Sequence, residues 1–338
     1  AAHATAGGPC SCTARSALSN ASRVVASPAR LAIAPFKQRK GAAVCSGRAA
    51  AVCSASSSDS IPAVAPVSRR GLLAAASLAA LASDLALFAP QAAVAAGGRL
   101  PTKEEKAAID AALAKVAPRP KAPVLLRLIF HDAGTYDEGS KSGGANGSIL
   151  YELKRPENKG LGRGTRIVES LLEELQGTAA EGISFTDGIC LAAAHAVTVC
   201  GGPEIAMPIG RVDAAEADPE GRLPAETLDA AALRGVFARV GMSTQEFVAL
   251  SGAHTLGAKG FGPPLDFTNE YYSALQKKPW ENTKDEMAAM IGLASDHVLP
   301  DDPPSRAWID KYAADQALFF RDFAAALVKL GSQGATWA

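Results

Sequence analysis

Between residues 103 and 330 apolar side chains recur three and four positions apart while alternating runs are nearly absent, so this chain has to fold by packing helices on helices. The spacing predicts helices over 103–116, 124–131, 161–176, 186–199, 228–240, 244–254 and 309–330. Pro118 and Pro120 stop the first of these, and Pro123 opens the second, because proline lacks the amide proton that a helix interior needs. Ser243-x-x-Glu246 has the form of a capping box and sets the start of the helix that runs to His254. The glycine-rich stretch 139–147 reads as loop. No internal repeat is present, and the expected fold class is all-α.

The region before residue 96 is of another kind. Up to residue 68, seven basic residues (Arg15, Arg23, Arg30, Lys37, Arg39, Lys40 and Arg48) stand against one acid, Asp59, in a background of Ala, Ser and Val. Such a cationic, Ser-rich, acid-poor stretch predicts a chloroplast transit peptide over 1–68. Ser68-Arg69-Arg70-Gly71-Leu72-Leu73 then opens an Ala/Leu-rich run that ends at Ala93-Val94-Ala95, the pattern of a twin-arginine signal over 69–95 with an A-x-A cleavage site. Asp84, Pro90 and the weak hydrophobicity of alanine argue against a permanent membrane span. The two signals in tandem predict the thylakoid lumen as destination and one domain over 96–338. That domain carries 25 basic and 32 acidic residues, an acidic excess that speaks against nucleic acid as a partner. It keeps two of the six cysteines, Cys190 and Cys200. On one continuous helix they would stand about 15 Å apart, beyond disulfide reach.

Arg127 and His131 lie one helical turn apart in an otherwise apolar segment, so a cation and an imidazole project from the same face. Taken alone, the pair reads as two polar residues facing water. The company it keeps changes that reading. VLLRLIFHDAGTYD (124–137), GGPE (201–204), DPEGRLP (218–224), VALSGAHTLG (248–257) and KYAADQALFFRDF (311–323) occur in an order that resembles the class I haem peroxidases, ascorbate peroxidases above all.

The resemblance implies a class I peroxidase fold: a single domain of two helical lobes with a haem cleft between them. It implies haem b as cofactor, hydrogen peroxide and a small electron donor such as ascorbate as substrates, and a role in oxidative-stress defence. By motif, His254 is similar to the iron ligand and Asp296, in ASDH, to the carboxylate that makes the ligand electron-rich. His131 resembles the distal acid–base group, and Arg127 the cation that stabilises charge as the O–O bond breaks. Glu152 and Asn158 match the pair that orients the distal histidine. Phe130 stands where ascorbate peroxidases have a distal tryptophan. His195 has no such match and reads as core packing beside Cys190 and Cys200. A non-haem metal site on His131 and Asp132 lacks a third ligand at a recognisable spacing.

The chain departs from the family pattern between Gly257 and Phe267, where a stretch is missing that would carry a proximal tryptophan, part of a cation site and an arginine for ascorbate. No residue replaces these by position. Lys121 stands at another ascorbate contact, a cysteine in the family, and Trp280, in the inserted KKPWEN, reads as a surface or packing aromatic. The sequence therefore supports two expectations: a haem peroxidase with an altered donor edge, or a catalytically impaired homologue that binds a lumenal partner near photosystem II.

Overall fold

The computed structural model of the protein describes residues 97–280 and 291–338, so the readings of 1–68 and 69–95 lie outside the described residues. The first helix, α1 (Lys103–Val116), begins where the Thr102 hydroxyl accepts the Glu105 amide and the Glu105 carboxylate accepts the Thr102 amide. Pro123 sits in the first turn of α2 (Ala122–Ala133), where its missing amide proton costs nothing. There follow α3 (Gly162–Glu174), α4 (Phe185–Val199), α5 (Ala230–Arg239), α6 (Thr244–Ser251), α7 (Glu270–Leu275), α8 (Pro303–Ala314) and α9 (Gln316–Leu330). Among the described residues extended pairing is limited to isolated bridges such as Arg99 with Ile209, and the fold is all-α. No described helix is long and apolar enough to cross a membrane.

Two boundaries and one added helix depart from the periodicity. The run over 309–330 is two helices, because Asp315 adopts an extended backbone and turns its carboxylate onto the Leu318 amide to cap α9. His254 lies beyond the end of α6 on a tighter turn, Gly252–Thr255. Gly252 permits that turn, since a Cβ there would lie 2.5 Å from the Tyr272 hydroxyl and 2.6 Å from the Phe319 ring. Helix α7 has only six residues, too few to show a period or to persist without tertiary packing.

Helices α1 to α4 pack on one another, and α5 to α9 do the same, which makes the two lobes. α4 is the spine of the first lobe: every residue from Phe185 to Ala194 is buried, each large apolar side chain contributing about 1.5–3 kcal/mol. Gly188 lets α3 close on it, as a Cβ there would meet Val168 at 2.7 Å. In the second lobe Phe319, Phe323, Leu327 and Leu330 form the inward stripe of α9. The lobes touch where Phe130 of α2 stacks on Phe237 of α5 at 5.8 Å, and Phe237 in turn packs on Phe247 of α6 at 4.4 Å.

Candidate active site

Leu125, Leu128, Ile129 and Ala133 turn one side of α2 into the core, which leaves Arg127 and His131 on the other. Arg127 Nε donates to His131 Nε2 at 3.2 Å, and its two terminal nitrogens donate to the carbonyls of Lys159, at 2.8 Å, and Glu157. His131 Nδ1 lies 2.7 Å from Asn158 Oδ1. An amide oxygen can only accept, so Nδ1 carries the proton and Nε2 keeps a lone pair. Burial lowers the His131 pKa to about 4, with the Arg127 charge adding to it and the Asn158 bond opposing it. The ring is therefore neutral at ordinary pH.

The Asn158 amide nitrogen donates to the Glu152 backbone carbonyl at 3.0 Å, which fixes which way Asn158 points. The Glu152 carboxylate goes elsewhere: it accepts the Asp218 amide at 2.9 Å and pairs with Arg155 at 2.7 Å. Asp132, next to His131, also turns away, accepting the amides of Asn146, Gly147 and Ile149 and so fastening the glycine-rich loop to α2. Phe130 meets the His131 ring edge-on at 6.0 Å and forms an aromatic wall.

On the other lobe, His254 Nδ1 lies 2.8 Å from Asp296 Oδ1. Asp296 is buried; its second oxygen accepts the Leu293 amide at 2.8 Å, and its first also accepts the Tyr271 hydroxyl at 2.9 Å. Burial works against a charged imidazole at His254, but the Asp296 carboxylate outweighs it and raises the pKa above the ordinary value. Burial likewise works against the Asp296 charge, and His254, the Leu293 amide and Tyr271 together hold its pKa below the usual carboxylate range. His254 Nε2 has no hydrogen-bond partner among the described residues, and its side chain is 39% exposed.

The Glu226 carboxylate is within electrostatic range of Arg127, His131 and His254 alike. The Ser295 amide donates to the Glu226 carbonyl at 2.9 Å, tying that loop to the turn that bears Asp296. Gly257, just past His254, sits against Pro123 at the start of α2. An unpartnered imidazole nitrogen backed by a buried carboxylate on one lobe, with a neutral histidine and an arginine on the other, is the donor set that a haem iron requires. The residues present fit that group.

Tyr271 and Glu226 escaped the sequence reading. The FTNEYY run after the missing stretch is the only signal of Tyr271, and nothing local marks Glu226. Trp280 stacks flat on His297 at 4.4 Å, and its Nε1 donates to the Leu275 carbonyl, so it is a packing aromatic. His195 is half-buried with Nε2 3.2 Å from the Ala117 carbonyl, and Cys190 and Cys200 are buried free thiols.

The family profile described as peroxidase matches residues 105–315, more than half of the chain. The chain is 49% identical over 226 residues to putative L-ascorbate peroxidase 6 of Arabidopsis thaliana, covering 66% of this chain and 67% of that protein. It is 40% identical over 234 residues to the cytosolic L-ascorbate peroxidase 1 of Oryza sativa subsp. japonica, covering 65% and 89%. A third relative, probable L-ascorbate peroxidase 4, peroxisomal, of the same rice, is 40% identical over 225 residues and covers 64% and 74%. With the helical lobes and the paired histidine sites, these matches establish that the chain belongs to the peroxidase family, in its class I, ascorbate peroxidase branch.

Proposed function

We propose that this chain reduces hydrogen peroxide to water with electrons from ascorbate or another small donor, using haem b held by His254. The observation that carries the reading is the unpartnered His254 Nε2, set on a buried Asp296 and sharing the electrostatic reach of Glu226 with His131 and Arg127. Bound haem would supply the iron that accepts a peroxide oxygen and the electrons that reduce it.

The protein's own part is proton handling and charge control. His131 Nε2 takes the proton of the near peroxide oxygen and delivers it to the far one as the O–O bond breaks, so that the far oxygen leaves as water. Asn158 keeps the tautomer that leaves this nitrogen free to accept. The Arg127 guanidinium faces the charge that develops on the departing oxygen. Peroxide displaces the Arg127–His131 contact when it enters. Asp296 holds the proton of His254 Nδ1, orients the ring and makes Nε2 a better electron donor.

Residues 1–68 and 69–95 act in this proposal as successive signals that deliver the domain 96–338 to the thylakoid lumen. A second reading, a lumenal binding protein associated with photosystem II, is favoured by the short connection between Gly257 and Phe267. A haemin titration of residues 96–338 separates the two. A Soret band that shifts in His254→Ala is expected of the enzyme, and no ligation at all would leave the binding protein.

A further inference from the structure

The chain has five tyrosines, and three of them, Tyr271, Tyr272 and Tyr312, stand in one row in the second lobe. The row starts at the proximal histidine. The His254 and Tyr271 ring centroids are 6.0 Å apart, Tyr271 and Tyr272 5.0 Å, Tyr272 and Tyr312 5.2 Å, and Tyr312 and Trp308 5.8 Å. The three tyrosines are fully buried, and Trp308 is the partly exposed end.

Packing alone does not ask for phenols here. The same core is filled around them by Phe267, Phe319 and Phe323, which carry no hydroxyl to satisfy, whereas each buried hydroxyl needs a partner. Two of the partners are carboxylates: Tyr271 donates to Asp296 Oδ1 at 2.9 Å and Tyr312 to Asp322 Oδ2 at 3.0 Å. Tyr272 donates only to the carbonyls of Val248 and Ala249, which cannot take its proton. Tyr271 and Tyr312 can thus lose an electron while the phenolic proton shifts to a waiting base, and Tyr272 bridges them. At the surface the Lys311 ammonium lies 3.8 Å from the Trp308 ring centroid, and Lys311 forms no ion pair among the described residues. The neighbouring Asp310 is already paired with Arg306, so the end of the row presents an indole with an uncompensated positive charge.

We propose that Tyr271, Tyr272, Tyr312 and Trp308 relay electrons from the surface to the proximal pocket, and that the Trp308–Lys311 surface is a second donor-oxidation site for anionic aromatic reductants. The proposal rests on the peroxidase reading, which supplies peroxide as the oxidant. Reduction of one peroxide to two waters consumes two electrons and two protons. Two donor molecules each give up one electron at Trp308, and the protons come from the donors or from water. When Tyr312 passes its electron inward, its proton moves to Asp322 and returns as Trp308 refills it; Tyr271 exchanges its proton with Asp296 in the same way.

The relay is testable without haem. Azide radicals generated by pulse radiolysis oxidise indole in preference to phenol. In the haem-free protein the indolyl radical should convert to a tyrosyl radical at a rate independent of protein concentration. Tyr312→Phe should slow that conversion about tenfold, and Trp308→Phe should remove the phase; unchanged kinetics in Tyr312→Phe overturns the relay. In the haem-loaded protein with peroxide, Trp308→Phe should lose most oxidation of a bis-sulfonated azine dye and keep that of a small neutral phenol. Equal loss of both, or of neither, rejects the surface site. A chain that takes up no haem overturns the peroxidase reading and the donor site with it, while the radiolysis result still decides the relay.

Discussion

His131 and His254 are the same residue type placed in opposite environments. His131 sits one turn from Arg127 on a single helix, and its direct partners are a cation, a neutral amide and an aromatic wall. Burial dominates there, and the ring is driven neutral. His254 lies on a turn at a helix end, 42 residues from the carboxylate that holds it. The charge of that carboxylate outweighs burial, and the ring is held electron-rich. In the proposed mechanism the first serves as a base, which needs a free lone pair and little excess proton affinity, and the second as a ligand, which needs electron density pushed into it. A carboxylate hydrogen-bonded to one ring, where the other has a neutral amide, makes the difference.

The comparison breaks most visibly at His131. In the haem-loaded protein His131→Leu should slow the reaction with peroxide by about 10²–10⁴-fold, the range of a lost general acid–base group. A stopped-flow rate within a factor of about two of the parent would remove His131 from the mechanism. On the proximal side, Asp296→Asn should weaken haem affinity by about 10–100-fold, the usual cost of losing the group that orients a metal-binding histidine. Unchanged haemin titrations would mean that His254 stands without its partner.

The pH dependence sharpens the same contrast. An exposed imidazole protonates near 6.5, and the folded His131 only near 4. Between these values the unfolded chain binds the additional proton, so this group removes stability as pH falls from about 6.5 through about 4. Melting temperature should therefore fall across that window and fall less in His131→Leu; parallel curves would contradict the buried neutral ring. The peroxide rate should decline through an apparent pKa of about 4, where the base becomes protonated. The smallest chemical effect is expected at Glu152. Glu152→Gln should cost about 1–3 kcal/mol of stability, because a buried carboxylate serves Arg155 and the Asp218 amide. It should leave the peroxide rate within about twofold, since only the Glu152 carbonyl supports Asn158. Urea unfolding and stopped-flow mixing on one preparation check both.

Much of the architecture could be read along the chain because its causes are local. Apolar spacing and caps depend on residues within a turn of one another, and Thr102–Glu105 and Ser243–Glu246 close as capping boxes where such patterns occur. Asp315 was equally local but hidden, since the apolar period runs on through it and its cap competes with a continuous helix. Glu152 shows what motif matching leaves open, namely which atom of a residue makes the contact. The residue lies beside Asn158, yet the contact is made by its backbone, and Arg155 and the Asp218 amide claim the side chain.

What the sequence by itself determined is the helical class, the pairing of Arg127 with His131 on one face, and the motif order that marks the peroxidase family; each follows from spacing within a helix or from residue identity. Only the tertiary structure decided how the second half of the site is assembled. Tyr271 reaches Asp296 across 25 positions, Glu226 is brought within range of both histidines, and the row from Tyr271 to Trp308 crosses helices α7 and α8. Contacts between elements depend on how lobes pack and on which buried hydroxyl finds which carboxylate, and no local period in the chain records that.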